Sequence, residues 1–230
     1  MRVRVSVALG LTAVILLALP ACSTDHTEAK PASPSSAGSG KPASVDNDAP
    51  LSSAALEARL LDETDLGADY TRKPERPSQH DDVTVLGCPA LNELGGDAAT
   101  GGSLDFPRQA KASFTYTGGS DSEVSEELYS DTDGKLSDGT SRIFDAMTDC
   151  PEYQVLVGGT AIDITTQKTA APQLGDQQWS QLLTFSAGGK ESVVKQTAVR
   201  SGNVLLIVAG SPALVDRHLD KAHAKATPAH

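Results

Sequence analysis

Residues whose types and spacing could do chemistry are few in this 230-residue chain, and their neighbours argue against most of them. Between residues 52 and 226 histidine occurs at His80, His218 and His223. A metal pair on one helix needs side chains three or four residues apart. His218 and His223 are five apart, so they are expected as solvated charges on different faces of a terminal helix. His80 lies in a polar loop, RPSQHDD, and no Gly-x-Ser-x-Gly elbow offers it a nucleophile. Asp131, Asp133, Gly134 and Asp138 have a faint calcium-loop look. Registered on Gly134, however, Tyr129 and Thr140 fall at the first and last ligand positions, so a turn is expected. Gly188-Gly189-Lys190 has the end of a phosphate loop without its first glycine. Glu191 stands where a Mg²⁺-binding Ser or Thr is needed, so a hairpin turn is expected. Trp179, the one tryptophan, reads as a core anchor before a ligand-cleft aromatic. The 30 acids supply many accidental carboxylate pairs and single out none. No catalytic residue, cofactor or metal is expected, and the chain reads as non-enzymatic.

Cysteine chemistry is more specific. Arg2 and Arg4 precede an uncharged apolar run at residues 5–19, VSVALGLTAVILLAL. Fifteen residues are short for a spanning helix, which needs about 20, and suit a signal-peptide core. The run ends in Leu19-Pro20-Ala21-Cys22, which resembles a bacterial lipobox, where the cysteine thiol is acylated and becomes the first mature residue. The alternative is an ordinary cleaved secretory signal with a coincidental cysteine. A single acyl chain binds bilayers only marginally, so the diacylglycerol that such processing attaches at Cys22 would make a firm anchor. Two cysteines then remain, Cys88 and Cys150. In an oxidising compartment a disulfide between them is the simplest account, worth roughly 4 kcal/mol by loop-closure entropy. Two buried free thiols, or part of a zinc site lacking its other ligands, are the alternatives.

These residues must be held by a domain that starts well after the anchor. Residues 1–21 read as signal peptide and residues 22–51 as lipidated cysteine plus linker. That linker is rich in Ser, Ala, Pro and Gly and nearly free of large apolar side chains. As a coil it reaches about 30 Å. The folded unit is expected at residues 52–226, with 227–230 a tail. Within it, 52–61 and 88–94 read as short helices, the latter with Pro89 in its first turn and Gly95-Gly96 after it. Residues 109–116 alternate, with Ala110, Ala112, Phe114 and Tyr116 on one face, and 123–129 return antiparallel. A helix at 138–149 carries Ile143, Met147 and Cys150 on its inner stripe. Strands are expected at 161–167, 178–186, 192–200 and 203–210, the last three joined by Gly188-Gly189 and Ser201-Gly202 turns. The apolar run VLLIVA from Val204 marks a central strand covered on both faces. Ser211-Pro212 opens a final helix to about Ala226. The order implies an α+β fold: a mostly antiparallel sheet with helices packed on one side, and one disulfide.

Composition narrows the function classes. The chain is 39% apolar, too apolar for wholesale disorder, and its formal charge of −11 excludes a nucleic-acid surface as the default. Removing residues 1–21 takes away two arginines and no acid, leaving −13. Such a body is repelled by anionic lipid and is expected in the aqueous phase.

Several features then come in a familiar order. They are Leu60-Leu61 with Leu66, Gly87-Cys88-Pro89-Ala90-Leu91, Phe114 in a strand, a helix ending at Cys150-Pro151, Leu174-Gly175-Asp176, and Ala198 to Asn203 (AVRSGN). In this it resembles the actinobacterial envelope lipoproteins related to the PknH-like extracellular sensor domain, over roughly residues 53–226. The resemblance implies a compact extracytoplasmic α+β domain with a cleft for an unidentified ligand and no known catalysis. The kinase-attached domains carry four cysteines in two disulfides, whereas Cys88 and Cys150 alone stand here. Two functions follow as expectations. One is a lipid-anchored protein at the outer side of the cell membrane that binds a small ligand or envelope component. The other is an accessory protein that docks on a sensor kinase or another envelope protein.

Overall fold

Local sequence accounts for most of the elements. The structure, a computed structural model, describes residues 49–74, 83–94, 106–119, 122–157 and 159–228. The chain divides into two units, Met1–Ser44 and Val45–His230, and every described residue belongs to the second. Helix α1 (Ser53–Glu57) starts at Ser52, whose hydroxyl accepts from the Ala55 N–H. Helix α2 (Glu63–Leu66), which the sequence pattern does not mark, is a single turn held by a capping box between Asp62 and Asp65. Helix α3 spans Pro89–Leu94, α4 spans Asp133–Asp149 and α5 spans Pro212–Ala226. The strands are β1 (Tyr70–Arg72), β2 (Val83–Leu86), β3 (Gln109–Tyr116), β4 (Ser122–Ser130), β5 (Glu152–Val157), β6 (Thr160–Lys168), β7 (Gln177–Ala187), β8 (Lys190–Ser201) and β9 (Val204–Gly210).

All nine strands form one antiparallel sheet in the order β1-β3-β4-β9-β8-β7-β6-β5-β2. Hairpin β7–β8 turns on Gly188-Gly189, as expected, with φ of 56° and 75°, the backbone a type I′ turn demands. Hairpin β8–β9 turns on Gly202-Asn203, one residue past the expected Ser201-Gly202. The α+β fold and the Cys88–Cys150 disulfide are both present.

The placement of the helices differs from expectation. Strand β9 is apolar from Val204 to Ala209 because each of its faces needs a cover. Its residues Leu206 and Val208 pack with Leu214, Val215 and Leu219 of α5 and Leu56 of α1. Leu205 and Ile207, pointing the other way, pack with Leu136 and Phe144 of α4. Helices therefore lie on both faces of the sheet, not on one side. On the α4 face, Leu91 of α3 and Met147 of α4 close over Tyr153, Val155 and Ile164 at the far end of the sheet. Helix α4 also begins at Asp133 rather than near residue 138. Its inner stripe is Leu136, Thr140, Phe144 and Met147, with Ile143 half-buried beside it.

Candidate functional site

The geometry of interest arises where β9 stops. Gly210 is its last residue, opposite Val124 on one side and Lys195 on the other. The flanking strands run on past it, β8 through residues 190–194 and β4 through Ser122 and Glu123. The chain meanwhile leaves at Ser211 to start α5 on the other face. Two hairpins, β3–β4 and β7–β8, thus project as a fork with a notch of about 440 Å³ between them. Glu123 and Ser125 wall one side, Val193 and Val194 the other, and Ala209, Gly210 and Ser211 close the back. Through Ser125, Val194 and Ala209 the notch opens into a smaller depression of about 220 Å³ on the α4 face.

This groove has a mixed floor. Leu183, Phe185, Val194 and Ile207 contribute apolar surface. Between them lie Glu127, whose carboxylate accepts from Lys111 at 3.2 Å and from the Tyr129 hydroxyl, and Ser125, whose hydroxyl donates to the Ala209 carbonyl at 3.3 Å. Gln196 is 5% exposed, and its amide oxygen accepts from Gln181 at 2.9 Å. Gln181 in turn points at the Met147 sulfur, 3.4 Å away, so the groove is linked to the inner face of α4. Glu123 at the notch is paired with Lys73. These carboxylates are matched within the protein, and what the groove offers a ligand is hydrogen bonds and apolar contact.

A second polar centre lies on the opposite face, under α1 and α2. Glu126 of β4 is 2% exposed and accepts from the Leu61 N–H at 2.7 Å, while its other oxygen has no partner among the described residues. Burial pushes its pKa up from 4.5 to about 7. The Leu61 hydrogen bond and the Lys225 charge pull the other way, and the Asp65 charge adds to the rise.

Of the residues that the sequence singles out, Cys22 and His80 lie outside the described residues. Cys88 and Cys150 are bonded, Cα to Cα 5.8 Å, joining the start of α3 to the end of α4. His218 is not a solvated charge. It is 6% exposed, its Nε2 lies 2.6 Å from the Tyr70 hydroxyl, and burial first, then the Arg217 and Lys221 charges, lowers its pKa. His223 is half-buried and 3.0 Å from the Ser201 hydroxyl. Among the described residues no carboxylate holds its ring as a triad would require. No group of three or more His, Cys, Asp or Glu among them is arranged to hold a metal. Asp131 forms the turn before α4, accepting from the Thr132 N–H at 2.8 Å, and Asp133 pairs with Arg200. Trp179 stacks on Phe144 in the core. The groove residues Ser125, Glu127, Phe185 and Gln196 are not singled out by the sequence. Alternation can assign them to one face but cannot reveal that β9 ends short beside them.

This fold has a counterpart among solved structures. The extracellular domain of PknH from Mycobacterium tuberculosis, a crystal structure, matches with a TM-score of 0.55 and 15% sequence identity, covering 78% of this chain and 96% of that one. The likeness is one of fold. It bears out the PknH-like architecture expected from the ordered motifs. No described protein family and no curated protein matches the sequence. No helix among the described residues is long and apolar enough to cross a membrane.

Proposed function

We propose that this chain is a non-enzymatic extracytoplasmic lipoprotein, anchored through lipid on Cys22, whose sensor-like domain binds an envelope component in the groove beside β9. The observation that carries the reading is the groove itself. It is a fork in the sheet with a partly apolar floor, convergent hydroxyl and amide groups and internally matched carboxylates, features that suit recognition rather than bond-making. The fold it shares with an extracellular domain supports an outward-facing role. The expected signal core and lipobox-like Cys22 support the anchor.

The test is an NMR titration of the ¹⁵N-labelled protein with a soluble extract of the native envelope. Shifts concentrated at Ser125, Phe185 and Gln196, and abolished by the groove-filling Ala209→Trp variant, are expected. Shifts confined to other surfaces, or none, would overturn the reading.

A further inference from the structure

The notch has a width that the sheet dictates. Strands β4 and β8 are separated by β9, so where β9 ends the gap between them is two inter-strand spacings, about 9–10 Å, and admits one more extended chain. The two-residue turn at Gly188-Gly189 makes Ala187 and Lys190 a hydrogen-bonded pair, and in an antiparallel ladder such pairs alternate. Even-numbered residues of β8 therefore bond to β7, and odd-numbered ones present N–H and C=O to the β9 side. The Gly202-Asn203 turn gives the same phase, since it pairs Ser201 with Val204. Along β8, Lys195, Thr197, Val199 and Ser201 find β9 opposite them, whereas Glu191 and Val193 face the notch beyond its end.

Among the described residues no backbone hydrogen bond reaches Glu191 or Val193 from the notch side. On the β4 side the Glu123 carbonyl is already engaged, accepting from the Ser211 N–H at 2.9 Å. Val193 itself is 42% exposed, one of two large apolar side chains left so open among the described residues.

We propose that the notch is a strand-addition site, in which an extended peptide segment of an envelope partner continues the line of β9 and pairs along β8 through the backbone of Glu191 and Val193. The inference rests on the groove reading above and names the kind of component bound. Main-chain bonds to two residues supply most of the affinity, so sequence selectivity is weak. It comes from the closed end, where Ala209 and Gly210 leave room for small side chains, and from Val194, which meets the peptide's alternate side chains on the α4 face. The outer edges of the sheet, β1 and β2, are three and four residues long, a length that discourages pairing with another chain.

The probe is a heptapeptide selected from a random phage-displayed library against the full-length protein, read by backbone amide hydrogen exchange. In the free protein the Glu191 and Val193 amides should exchange at solvent-like rates while Ser192 and Val194 are protected. Bound peptide should slow Glu191 and Val193 at least tenfold. Val193→Pro removes the notch-facing N–H without touching the β7 ladder, as proline is tolerated on such an edge, and should weaken the peptide at least tenfold. Protection of both amides before peptide is added, selection of no peptide, binding that leaves both amides unchanged, or a concentration-dependent dimer that occupies the edge would each overturn the proposal. The exchange measurement on the unmodified protein decides even where the proline variant fails to fold. Envelope extract that shifts Gln196 and Phe185 but leaves Val193 unmoved would overturn strand addition while leaving the groove reading in place.

Discussion

Glu126 shows how one buried side chain sets a pH dependence. Its folded pKa, about 7, lies above the ordinary 4.5, so the folded state holds the proton more tightly than the unfolded chain. The stabilisation is fully present below about pH 4.5 and is lost as pH rises through 7. The loss is about 3 kcal/mol. His218 works in the opposite direction, since its lowered pKa makes protonation below about 6.5 costly to the fold. Lys225 and Asp65 are the charged groups acting on Glu126, and Lys225 is itself paired with Asp62 and Asp65. Comparing Glu126→Gln with the unmodified protein isolates the Glu126 part. Urea unfolding at about pH 5 and pH 8 should show the variant losing about 2 kcal/mol less stability over that interval. Equal pH slopes in the two proteins would show that Glu126 does not titrate in this range. None of this is legible in the sequence: Glu126 sits on the same β4 face as Val124 and Leu128, yet in sequence it is one acid among 30.

At the scale of elements, strands with clean alternation or continuous apolar character are readable, and short ones are not. Residues 109–116 have the same bounds in pattern and in structure, and β4, β6, β7, β8 and β9 fall within a few residues of expectation. The three- and four-residue strands β1 and β2 carry too few positions to show a period, and β5, six residues long, is likewise absent from the expected strands. The side of the sheet a helix covers depends on which way the chain turns as it leaves a strand, and local pattern does not encode that. Gly210 marks the end of β9 for a steric reason. Its φ is 144°, and a Cβ there would collide with the Glu123 carbonyl oxygen. Gly210→Ala should therefore destabilise by at least about 2 kcal/mol. Gly188→Ala, where nothing lies within 4 Å of the added carbon, should cost about 1 kcal/mol from its φ alone. Thermal unfolding of the two variants checks the difference, and equal losses would remove the steric argument.

For the whole molecule, the proposed reading joins an acidic domain to a lipid anchor on Cys22 through a segment rich in Ser, Ala, Pro and Gly. Cys22→Ser should move the protein from the membrane fraction to the soluble one and abolish labelling by an alkyne fatty acid. Retention of the label would place the anchor elsewhere. The most direct measurement joins location to site: a photo-crosslinking amino acid is placed in living cells at Phe185, in the groove, or at Thr165, exposed on the sheet face away from α4. Adducts with an envelope component, recovered in the membrane fraction from the Phe185 position and absent from Thr165, are what the account requires. Equal adducts from both positions, or none from Phe185, would contradict it.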